Sequence, residues 1–266
     1  MRIALIGAGN MGEAILAGIH KKHECLVCEP RLDRQKYLRK KYRVTVGPLA
    51  EVVQAAQAVV LAVKPQDFPE LLAELASQQI KDKLFISIAA GITTRFIEKA
   101  LARSAALAAK PRVVRVMPNL PALVGQGMSG IASGRFATPR DGRLAEDVFQ
   151  SVGSTVVVKE AMLDALTAVS GSGPAYVFLF VECWLASARK LGFSEAEARQ
   201  LVYRTLSGSV SLLEQSPEPA SVLRERVTSK GGTTQAAMDV FFGKDMQSIF
   251  EEALQAACRR ARELSK

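Results

Sequence analysis

The sequence has few of the residues that build metal centres and disulfide frameworks, with only two histidines and four cysteines in 266 residues. Four cysteines in a chain of this length do not indicate a disulfide-stapled fold. His20, His23, Cys25 and Cys28 lie close together in the sequence. However, the apolar segment from Cys25 to Cys28 is typical of a strand, and residues three apart on a strand point to opposite faces. A zinc ion needs ligands that converge on one point, so we predict structural cysteines and no metal site.

Long apolar runs are also missing. The most apolar stretch, from Tyr176 to Ala186, is short for a membrane-spanning helix and contains Glu182. The apolar start of the chain reaches Gly7 too soon to be the core of a signal peptide. The sequence therefore predicts a cytoplasmic protein without a membrane partner.

Basic residues outnumber acidic ones, 35 to 26, which gives a formal net charge of +9. The densest basic run, residues 39–43, has no helix-turn-helix pattern, zinc-finger spacing or row of aromatic residues beside it. A basic surface also attracts anionic small molecules. We predict this use of the charge and no nucleic-acid partner.

Strand and helix patterns alternate over residues 1–160. Short apolar runs typical of buried parallel strands are separated by segments with helical spacing. This alternation predicts an α/β fold with a Rossmann-type, doubly wound parallel sheet. Ligands of such sheets bind beyond the carboxyl ends of the strands. The predicted strands are Ile3–Ile6, Leu26–Glu29, Val44–Val46, Ala58–Val63, Leu84–Ile88, Arg112–Met117, Met128–Ser133 and Ser154–Val158.

Strand patterns stop after residue 160, and residues 161–266 are predicted to form a second, all-helical domain. One long helix spans Pro174–Leu191, and a capping box from Ser194 to Glu197 opens the next. The first of these helices has more apolar positions than one buried face needs. Either a second subunit covers them or the helix is central in its own domain, and the sequence leaves both readings open.

The segment Gly7-Ala8-Gly9-Asn10-Met11-Gly12 fits the pattern G-x-G-x-x-G. It follows a predicted strand and opens a helix, which is the context that a dinucleotide-binding loop requires. Gly7 allows the tight turn, Gly9 lets the backbone approach a pyrophosphate, and Gly12 lets the helix pack closely on the strand. The helix N-terminus adds amide donors and a positive dipole. We therefore predict a nicotinamide dinucleotide cofactor and redox chemistry.

Two signals about the choice of cofactor conflict at the end of the second strand. Glu29 stands where the fingerprint expects an acid that binds the adenosine ribose, which favours NADH. Arg31 and Arg34 follow it, and a guanidinium can bind the 2′-phosphate of NADPH. The sequence leaves NADPH, NADH and dual use open.

Further cofactor contacts are predicted at the ends of strands four, five and six. Small residues there let a cofactor lie close to the sheet, and a lysine can reach a ribose or phosphate group. The end of strand six lies where a nicotinamide ring would reach. These residues are Ala62, Val63, Lys64 and Pro65, then Ala89 and Ala90, and then Met117 and Asn119.

Two glycine-rich motifs, Ser170–Tyr176 and Ser229–Thr234, are predicted to interrupt one helix and begin the next. Glycines at a helix start expose backbone amides and the threonines add hydroxyls, so the motifs predict a carboxylate site. The predicted substrate-binding residues are Ser172, Ser229, Gly231, Gly232, Thr233 and Thr234. No Ser–His–Asp set stands out, and hydride transfer needs none because the cofactor carries the chemistry.

In order and spacing, these motifs resemble those of the pyrroline-5-carboxylate reductase family. The resemblance spans almost the whole chain and rests on Ile6–Gly12, Ala62–Pro65, Ser87–Gly91, Arg115–Asn119, Val169–Tyr176 and Val227–Thr234. It implies a Rossmann domain followed by a helical domain that interlocks two subunits into a homodimer, sometimes within a larger ring such as a decamer. It also implies reduction of the C=N bond of (S)-1-pyrroline-5-carboxylate to L-proline with NADPH or NADH, the last step of proline biosynthesis.

The resemblance further implies roles for the second glycine loop. The segment from Ser229 to Thr234 would hold the substrate carboxylate, largely through backbone amides, and the Thr234 hydroxyl would lie near the ring nitrogen. We take Thr234 as the catalytic residue, because an imine becomes more electrophilic once its nitrogen is protonated. Two positions depart from the family: Lys230 stands where proline is usual, and Leu120 where threonine is common.

Two other functions remain open from the sequence. One is a reductase of the same architecture that acts on another cyclic imine or on a β-hydroxyacid. The β-hydroxyacid enzymes place a lysine within a long helix of the second domain, and here Lys190 lies only at the far end of that helix. The other is a dinucleotide-sensing regulator, which would need a nucleic-acid or partner-binding module that the sequence does not reveal.

Overall fold

The computed structural model describes residues 1–78, 80–102 and 110–265. Within these residues, eight strands form one sheet. They are β1 (Arg2–Ile6), β2 (Glu24–Cys28), β3 (Thr45–Val46), β4 (Ala58–Leu61), β5 (Leu84–Ser87), β6 (Arg112–Met117), β7 (Gly127–Ser133) and β8 (Gly153–Val157). Their order across the sheet is β3-β2-β1-β4-β5-β6-β7-β8, and every neighbouring pair is parallel except β6 with β7. The predicted Rossmann-type, mostly parallel sheet is confirmed.

The described residues also contain twelve α-helices. Six lie between strands: α1 (Asn10–Ile19), α2 (Leu32–Tyr42), α3 (Leu49–Ala55), α4 (Phe68–Ala76), α5 (Thr94–Leu101) and α6 (Pro139–Gln150). Six follow the sheet: α7 (Leu163–Leu166), α8 (Gly173–Lys190), α9 (Glu195–Gln215), α10 (Ala220–Arg226), α11 (Thr233–Gly243) and α12 (Met246–Leu264). Short 3₁₀ turns at Pro65–Asp67, Leu120–Val124 and Glu160–Met162 complete the helical segments.

Side chains of the strands alternate between two buried cores, one on each side of the sheet. Ile3 and Leu5 of β1 pack with α1 and α6, whereas Ala4 and Ile6 pack with α3, α4 and α5. This arrangement is expected for parallel strands that helices cover on both faces. The continuous apolar runs of the sequence follow from it, because all residues of β4 and β5 and all but end residues of β1 and β6 are buried.

The two cysteines of β2 confirm that residues three apart face opposite sides. Cys25 lies in the core with α1 and α6, while Cys28 packs against the core on the other face. Burial raises the pKa of the Cys25 thiol to about 11, which disfavours the thiolate that a metal would need. Cys25, Cys28, Cys183 and Cys258 are all free thiols.

The predicted helix break at Ser170–Tyr176 takes the form of a π turn: regular α-helix ends at Leu166 and begins again at Gly173. The backbone N–H of Ser172 donates to the Thr167 carbonyl, five residues earlier, at 2.8 Å. Residues Thr167–Gly171 therefore form a π-helical turn that joins α7 to α8. Glycine and proline signal an interruption in the sequence, but the wider π turn absorbs them and the chain stays helical.

Because of this turn, one helical run extends from Glu160 to Lys190. It is much longer than the most apolar stretch of the sequence, Tyr176 to Ala186. By length and composition alone it could cross a membrane, and almost none of its most apolar window is buried within the chain. Most apolar side chains of α8 are therefore exposed or only partly covered by their own chain, and Ala188 alone in this helix is buried, so the reading of a centrally buried helix is wrong.

The chain divides into two compact units. The first comprises Met1–Pro174 together with Ala257–Lys266, and the second comprises Ala175–Ala256. The C-terminal segment of the first unit is hydrogen-bonded to the rest of it, since the Ser265 hydroxyl donates to Asp164 Oδ1 at 2.8 Å. The division of the sequence at 160/161 into folding domains stays a prediction.

Candidate active site

The glycine loop after β1 is a tight turn that leaves no room for side chains at two positions. Gly7 has φ +87° and its N–H donates to the Cys28 carbonyl at 2.9 Å. A Cβ on Gly7 would lie 2.9 Å from the Ala62 backbone oxygen, and a Cβ on Gly12 would collide with the Gly7 carbonyl. The close approach of α1 to β1 and β4 therefore requires glycine at both positions.

Gly9 differs from these two glycines because it faces open space. It lies just before the first residue of α1, with extended backbone and no capping side chain. A Cβ placed on Gly9 would have no atom within 4 Å. The first N–H groups of a helix lack partners within the helix, so α1 presents free amides beside an open surface. These features fit the pyrophosphate of a dinucleotide.

The predicted contacts on strands four, five and six line the same edge of the sheet. β1, β4, β5 and β6 are consecutive neighbours, so their carboxyl ends lie side by side. Ala62 packs against Gly7 and Gly12, and Lys64 is exposed. Of the pair after β5, Ala89 is 3% exposed and belongs to the α4 and α5 core, whereas Ala90 is exposed. Small residues thus line this carboxyl-end edge of the sheet, and the exposed Lys64 provides a cation there for a ribose or phosphate group.

Glu29 is tied to the glycine loop by its side chain. Its Oε2 accepts the N–H of Ala8 at 3.0 Å, and its Oε1 accepts the N–H of Arg31 at 3.1 Å. The residue is only 8% exposed. Its carboxylate therefore holds the loop as well as standing at the position expected to bind a ribose.

The two arginines that follow Glu29 have different surroundings. The Arg31 side chain is 63% exposed and its Nε lies 3.8 Å from Glu29 and 4.0 Å from Asp33. Arg34 is 20% exposed, and its Nη2 donates to Glu13 Oε2 at 2.6 Å and to the Ala8 carbonyl at 2.7 Å. The Nη2 group of Arg34 is thus occupied by groups of the protein and its side chain is largely buried, so Arg31 is the more accessible guanidinium for a 2′-phosphate.

The end of β6 is locked to the π turn. Asn119 Nδ2 lies 3.1 Å from the Ser170 carbonyl and 3.3 Å from its hydroxyl, and Asn119 Oδ1 accepts the N–H of Met128 at 2.8 Å. The methyl group of Met117 packs against Gly171. These contacts place Ser172 next to the strand end at which a nicotinamide is expected.

The second glycine loop is the start of α11, in the second compact unit. The Gly232 N–H donates to the Ser229 carbonyl at 3.0 Å, which closes a turn, and Gly232 precedes the helix without a capping side chain. The amides at the start of α11 are therefore open to an anion. Thr233 is exposed and Thr234 half-buried. The structure brings five of the predicted substrate residues together here, while Ser172 belongs to the first unit.

Two polar clusters escaped the sequence analysis. In the first, Glu13 joins α1 to α2 through Arg34, Tyr37, Lys41 and Tyr42. In the second, the buried Arg115 of β6 lies 3.6 Å from Glu160 and 3.8 Å from Asp164, and Glu160 accepts both the N–H and the hydroxyl of Thr94. The partners in each cluster are far apart in the sequence, so no local pattern reveals them.

The order of the strands reverses between β1 and β4, and the glycine loop lies at this switch point, which is the dinucleotide site of doubly wound sheets. Fold and loop together define a dinucleotide-binding protein of the Rossmann class. Residues 2–91 accordingly match the family described as NADP oxidoreductase coenzyme F420-dependent. Residues 160–264 match the family described as Pyrroline-5-carboxylate reductase dimerisation.

Whole-length relatives make the assignment more specific. The pyrroline-5-carboxylate reductase of Haemophilus influenzae is 38% identical over 268 residues, which cover 98% of this chain and 97% of that protein. The structure of a pyrroline-5-carboxylate reductase from Coxiella burnetii has a TM-score of 0.90 at 34% identity and covers 99% of this chain and 98% of that one. The Plasmodium falciparum pyrroline carboxylate reductase with NADP bound has a TM-score of 0.85 at 28% identity, covering 100% and 98%.

The chain belongs to the pyrroline-5-carboxylate reductase family. It is an oxidoreductase of a family that makes proline from pyrroline-5-carboxylate with NADH or NADPH.

Proposed function

We propose that this chain reduces the C=N bond of (S)-1-pyrroline-5-carboxylate to give L-proline, with the residues of the two glycine loops in the roles described below. The observation that carries the proposal is the pair of uncapped helix starts, at α1 and at α11, in a chain of this family. One suits a pyrophosphate and the other a small carboxylate. When bound, NADH or NADPH supplies the hydride that goes to the imine carbon.

The first loop and its neighbours bind the cofactor. Gly7 and Gly12 hold α1 close to the sheet, and the amides from Gly9 onward neutralise the pyrophosphate charge. Glu29 is assigned to the adenosine ribose and Arg31 to a 2′-phosphate, so the chain is able to use both cofactors. The remaining cofactor-binding residues are Asn10, Met11, Ala62, Val63, Lys64, Pro65, Ala89, Ala90, Met117 and Asn119.

The second loop binds the substrate carboxylate through the backbone of Ser229, Gly231, Gly232 and Thr233. Ser172 is likewise assigned to the substrate. Lys230 is exposed and adds positive charge next to this loop, which favours an anionic substrate. The Thr234 hydroxyl is assigned to the ring nitrogen. It holds a proton at that atom, directly or through a water molecule, and so makes the imine carbon more electrophilic.

Replacing Thr234 tests its role. We expect Thr234→Ala to lower kcat/KM about tenfold or more, which corresponds to a loss of about 1.4 kcal/mol in transition-state stabilisation. Thr234→Ser should keep most of the activity. Steady-state kinetics at saturating cofactor give both values. A Thr234→Ala enzyme whose kcat/KM stays within about twofold of wild type would remove Thr234 from the catalytic role.

The exposed helices support a homodimer. In the described chain, α10, α11 and α12 contain no buried residue, although α11 and α12 carry large apolar side chains. Val240 is 62% exposed, Phe242 60% and Ile249 59%. Such a surface needs a cover. We infer that a second copy supplies it for these helices and for α8, and that the dimers assemble further into a ring such as a decamer.

We also infer that lipid and nucleic acid are not partners of this surface, and that the protein is cytoplasmic. Glu182 is exposed in the middle of α8, and a carboxylate is costly inside a bilayer. The four free thiols suit a reducing compartment.

We expect Val240→Asp to shift the protein to a smaller species in sedimentation velocity, while Leu32→Asp, at another exposed apolar position, on α2, leaves the assembly unchanged. An unchanged assembly in Val240→Asp would contradict this interface.

The reaction itself is tested by following nicotinamide absorbance. The proposal expects absorbance to fall when pyrroline-5-carboxylate is added to enzyme with NADH or NADPH, and expects no turnover of a β-hydroxyacid with the oxidised cofactors. Turnover of the β-hydroxyacid alone would make the chain a dehydrogenase of that class, and cofactor binding without any turnover would favour a regulator.

A further inference from the structure

Both ends of Ala8 in the glycine loop are held by side chains from outside the loop. The N–H of Ala8 donates to Glu29 Oε2 at 3.0 Å, and its carbonyl accepts from Arg34 Nη2 at 2.7 Å. Ala8 is completely buried. Side chains that follow β2 thus fix the orientation of this residue, which directly precedes Gly9.

Arg34 is itself held in place by Glu13. Glu13 Oε2 accepts from Arg34 Nη2 at 2.6 Å. The other oxygen, Oε1, accepts from the Tyr37 hydroxyl at 2.8 Å, from Lys41 Nζ at 3.0 Å and from the Tyr42 hydroxyl at 2.8 Å. Burial alone would raise the pKa of the Glu13 carboxyl, but these hydrogen bonds outweigh it and lower the pKa to about 2. Glu13 is therefore ionised at any working pH.

The Ala8 carbonyl and the Gly9 N–H belong to one planar peptide group and point in opposite directions. A donor that fixes the carbonyl therefore also fixes the direction of the Gly9 N–H. That N–H has no partner among the described residues, and the space beside Gly9 is open. A cationic donor on the carbonyl also polarises the peptide and strengthens its N–H as a hydrogen-bond donor.

We propose that Arg34, held by Glu13, is a positioning residue that orients the Ala8–Gly9 peptide toward the cofactor pyrophosphate. Arg34 thereby sets the affinity for NADH and NADPH alike and is not the residue that binds the 2′-phosphate. The inference rests on the proposed role of the glycine loop, since it concerns the pyrophosphate that both cofactors share.

The test compares three variants of the full chain: Arg34→Met, Glu13→Gln and Lys41→Met. Lys41→Met is the matched control, because Lys41 binds the same Glu13 carboxylate but does not touch the loop. The dissociation constants of NADH and NADPH are measured by nicotinamide fluorescence, together with Tm. We expect Arg34→Met to raise both constants about tenfold, leaving their ratio within about twofold of wild type. Glu13→Gln should raise both by about threefold or more, and Lys41→Met should change neither by more than about twofold.

Three outcomes would overturn the proposal. A loss confined to NADPH in Arg34→Met would mean that Arg34 binds the 2′-phosphate directly. Tighter or unchanged binding in Glu13→Gln would show that holding Arg34 is unnecessary. Equal losses of cofactor affinity in Lys41→Met and Arg34→Met would mean that the Glu13 cluster acts only by packing α1 on α2, and not by orienting the Ala8–Gly9 peptide. If Arg34→Met does not fold, Glu13→Gln and Arg34→Lys carry the test, and Arg34→Lys is expected to bind both cofactors more tightly than Glu13→Gln.

A separate variant distinguishes failure of the proposed function from failure of this inference. Gly9→Val adds a side chain where a Cβ meets no atom within 4 Å apart from its chain neighbours, and it leaves Arg34 and Glu13 themselves unchanged. If Gly9→Val leaves binding unchanged, the loop is not the cofactor site, whatever Arg34 does. If Gly9→Val weakens binding and Arg34→Met does not, the loop is the site and the positioning role is wrong.

Discussion

The side chain of Asn119 donates to the carbonyl of Ser170, 3.1 Å away, and so ties the end of β6 to the π turn before Ser172. Its amide oxygen is also occupied, by the N–H of Met128. Direct contact of Asn119 with the cofactor stays a prediction. The observed hydrogen bonds give the residue a role in holding the strand end and the π turn together.

Asn119→Asp tests this connection. The substitution removes the donor to Ser170 and sets a carboxylate oxygen against the Ser170 carbonyl, so we expect a loss of about 1–3 kcal/mol in the free energy of unfolding. We expect kcat to fall and, because Asn119 is also assigned to cofactor binding, KM for the cofactor to rise. Ser170→Ala, which removes only the longer contact, should cost about 0.5 kcal/mol or less. A raised cofactor KM with unchanged Tm in Asn119→Asp would show that Asn119 binds the cofactor but does not hold the strand end to the π turn.

Gly9→Val should weaken the binding of both cofactors without harming the fold. No atom lies within 4 Å of the added Cβ, and the backbone of Gly9 is extended, so we expect a stability cost below about 1 kcal/mol. The side chain occupies the space assigned to the pyrophosphate, and the dissociation constants of NADH and NADPH should rise by more than about tenfold. Gly12→Ala provides the contrast: its Cβ collides with the Gly7 carbonyl, so Tm and binding should fall together.

Arg31→Ala should separate the two cofactors. The exposed guanidinium of Arg31 is assigned to the 2′-phosphate, so its loss should raise KM for NADPH about tenfold, as expected for one charge-assisted hydrogen bond, and leave KM for NADH unchanged. Glu29→Ala should weaken both cofactors, because Glu29 also holds the N–H of Ala8. An equal rise in KM for NADH and NADPH in Arg31→Ala would show that Arg31 does not bind the 2′-phosphate.

Ionisation of Glu13 makes the stability of the first unit depend on pH. Its pKa is about 2 in the folded chain against an ordinary value of 4.5. A lowered pKa contributes stability above pH 4.5 that is lost as pH falls from 4.5 toward about 2. Because the cluster is partly exposed to solvent, we expect a contribution of only about 1 kcal/mol.

Urea unfolding of wild type and Glu13→Gln, at one fixed protomer concentration, measures this contribution. The wild type should be the more stable protein near neutral pH, and the gap should close as the pH falls toward about 2. A gap of constant size down to that pH would mean that the charge of Glu13 contributes nothing to stability.

The sheet could be predicted from the sequence because each central strand is buried on both faces and reads as an apolar run. The cofactor loop could be predicted because Gly7 and Gly12 are required by local geometry. The continuation of the helical run through Ser170–Tyr176 could not be predicted, because glycine and proline signal a break. The π turn that keeps this segment helical is held by Asn119, 51 residues away in the sequence. The Glu13 cluster was missed for the same reason: its partners lie 21 to 29 residues away in the sequence.

The most direct test of the account is to incubate the enzyme with pyrroline-5-carboxylate and NADPH deuterated at the transferred hydride, and to analyse the product by chiral chromatography and mass spectrometry. The account predicts L-proline, formed in the same amount as the cofactor oxidised and carrying the deuterium on the former imine carbon. Oxidation of the cofactor without proline, or proline without deuterium, would contradict it.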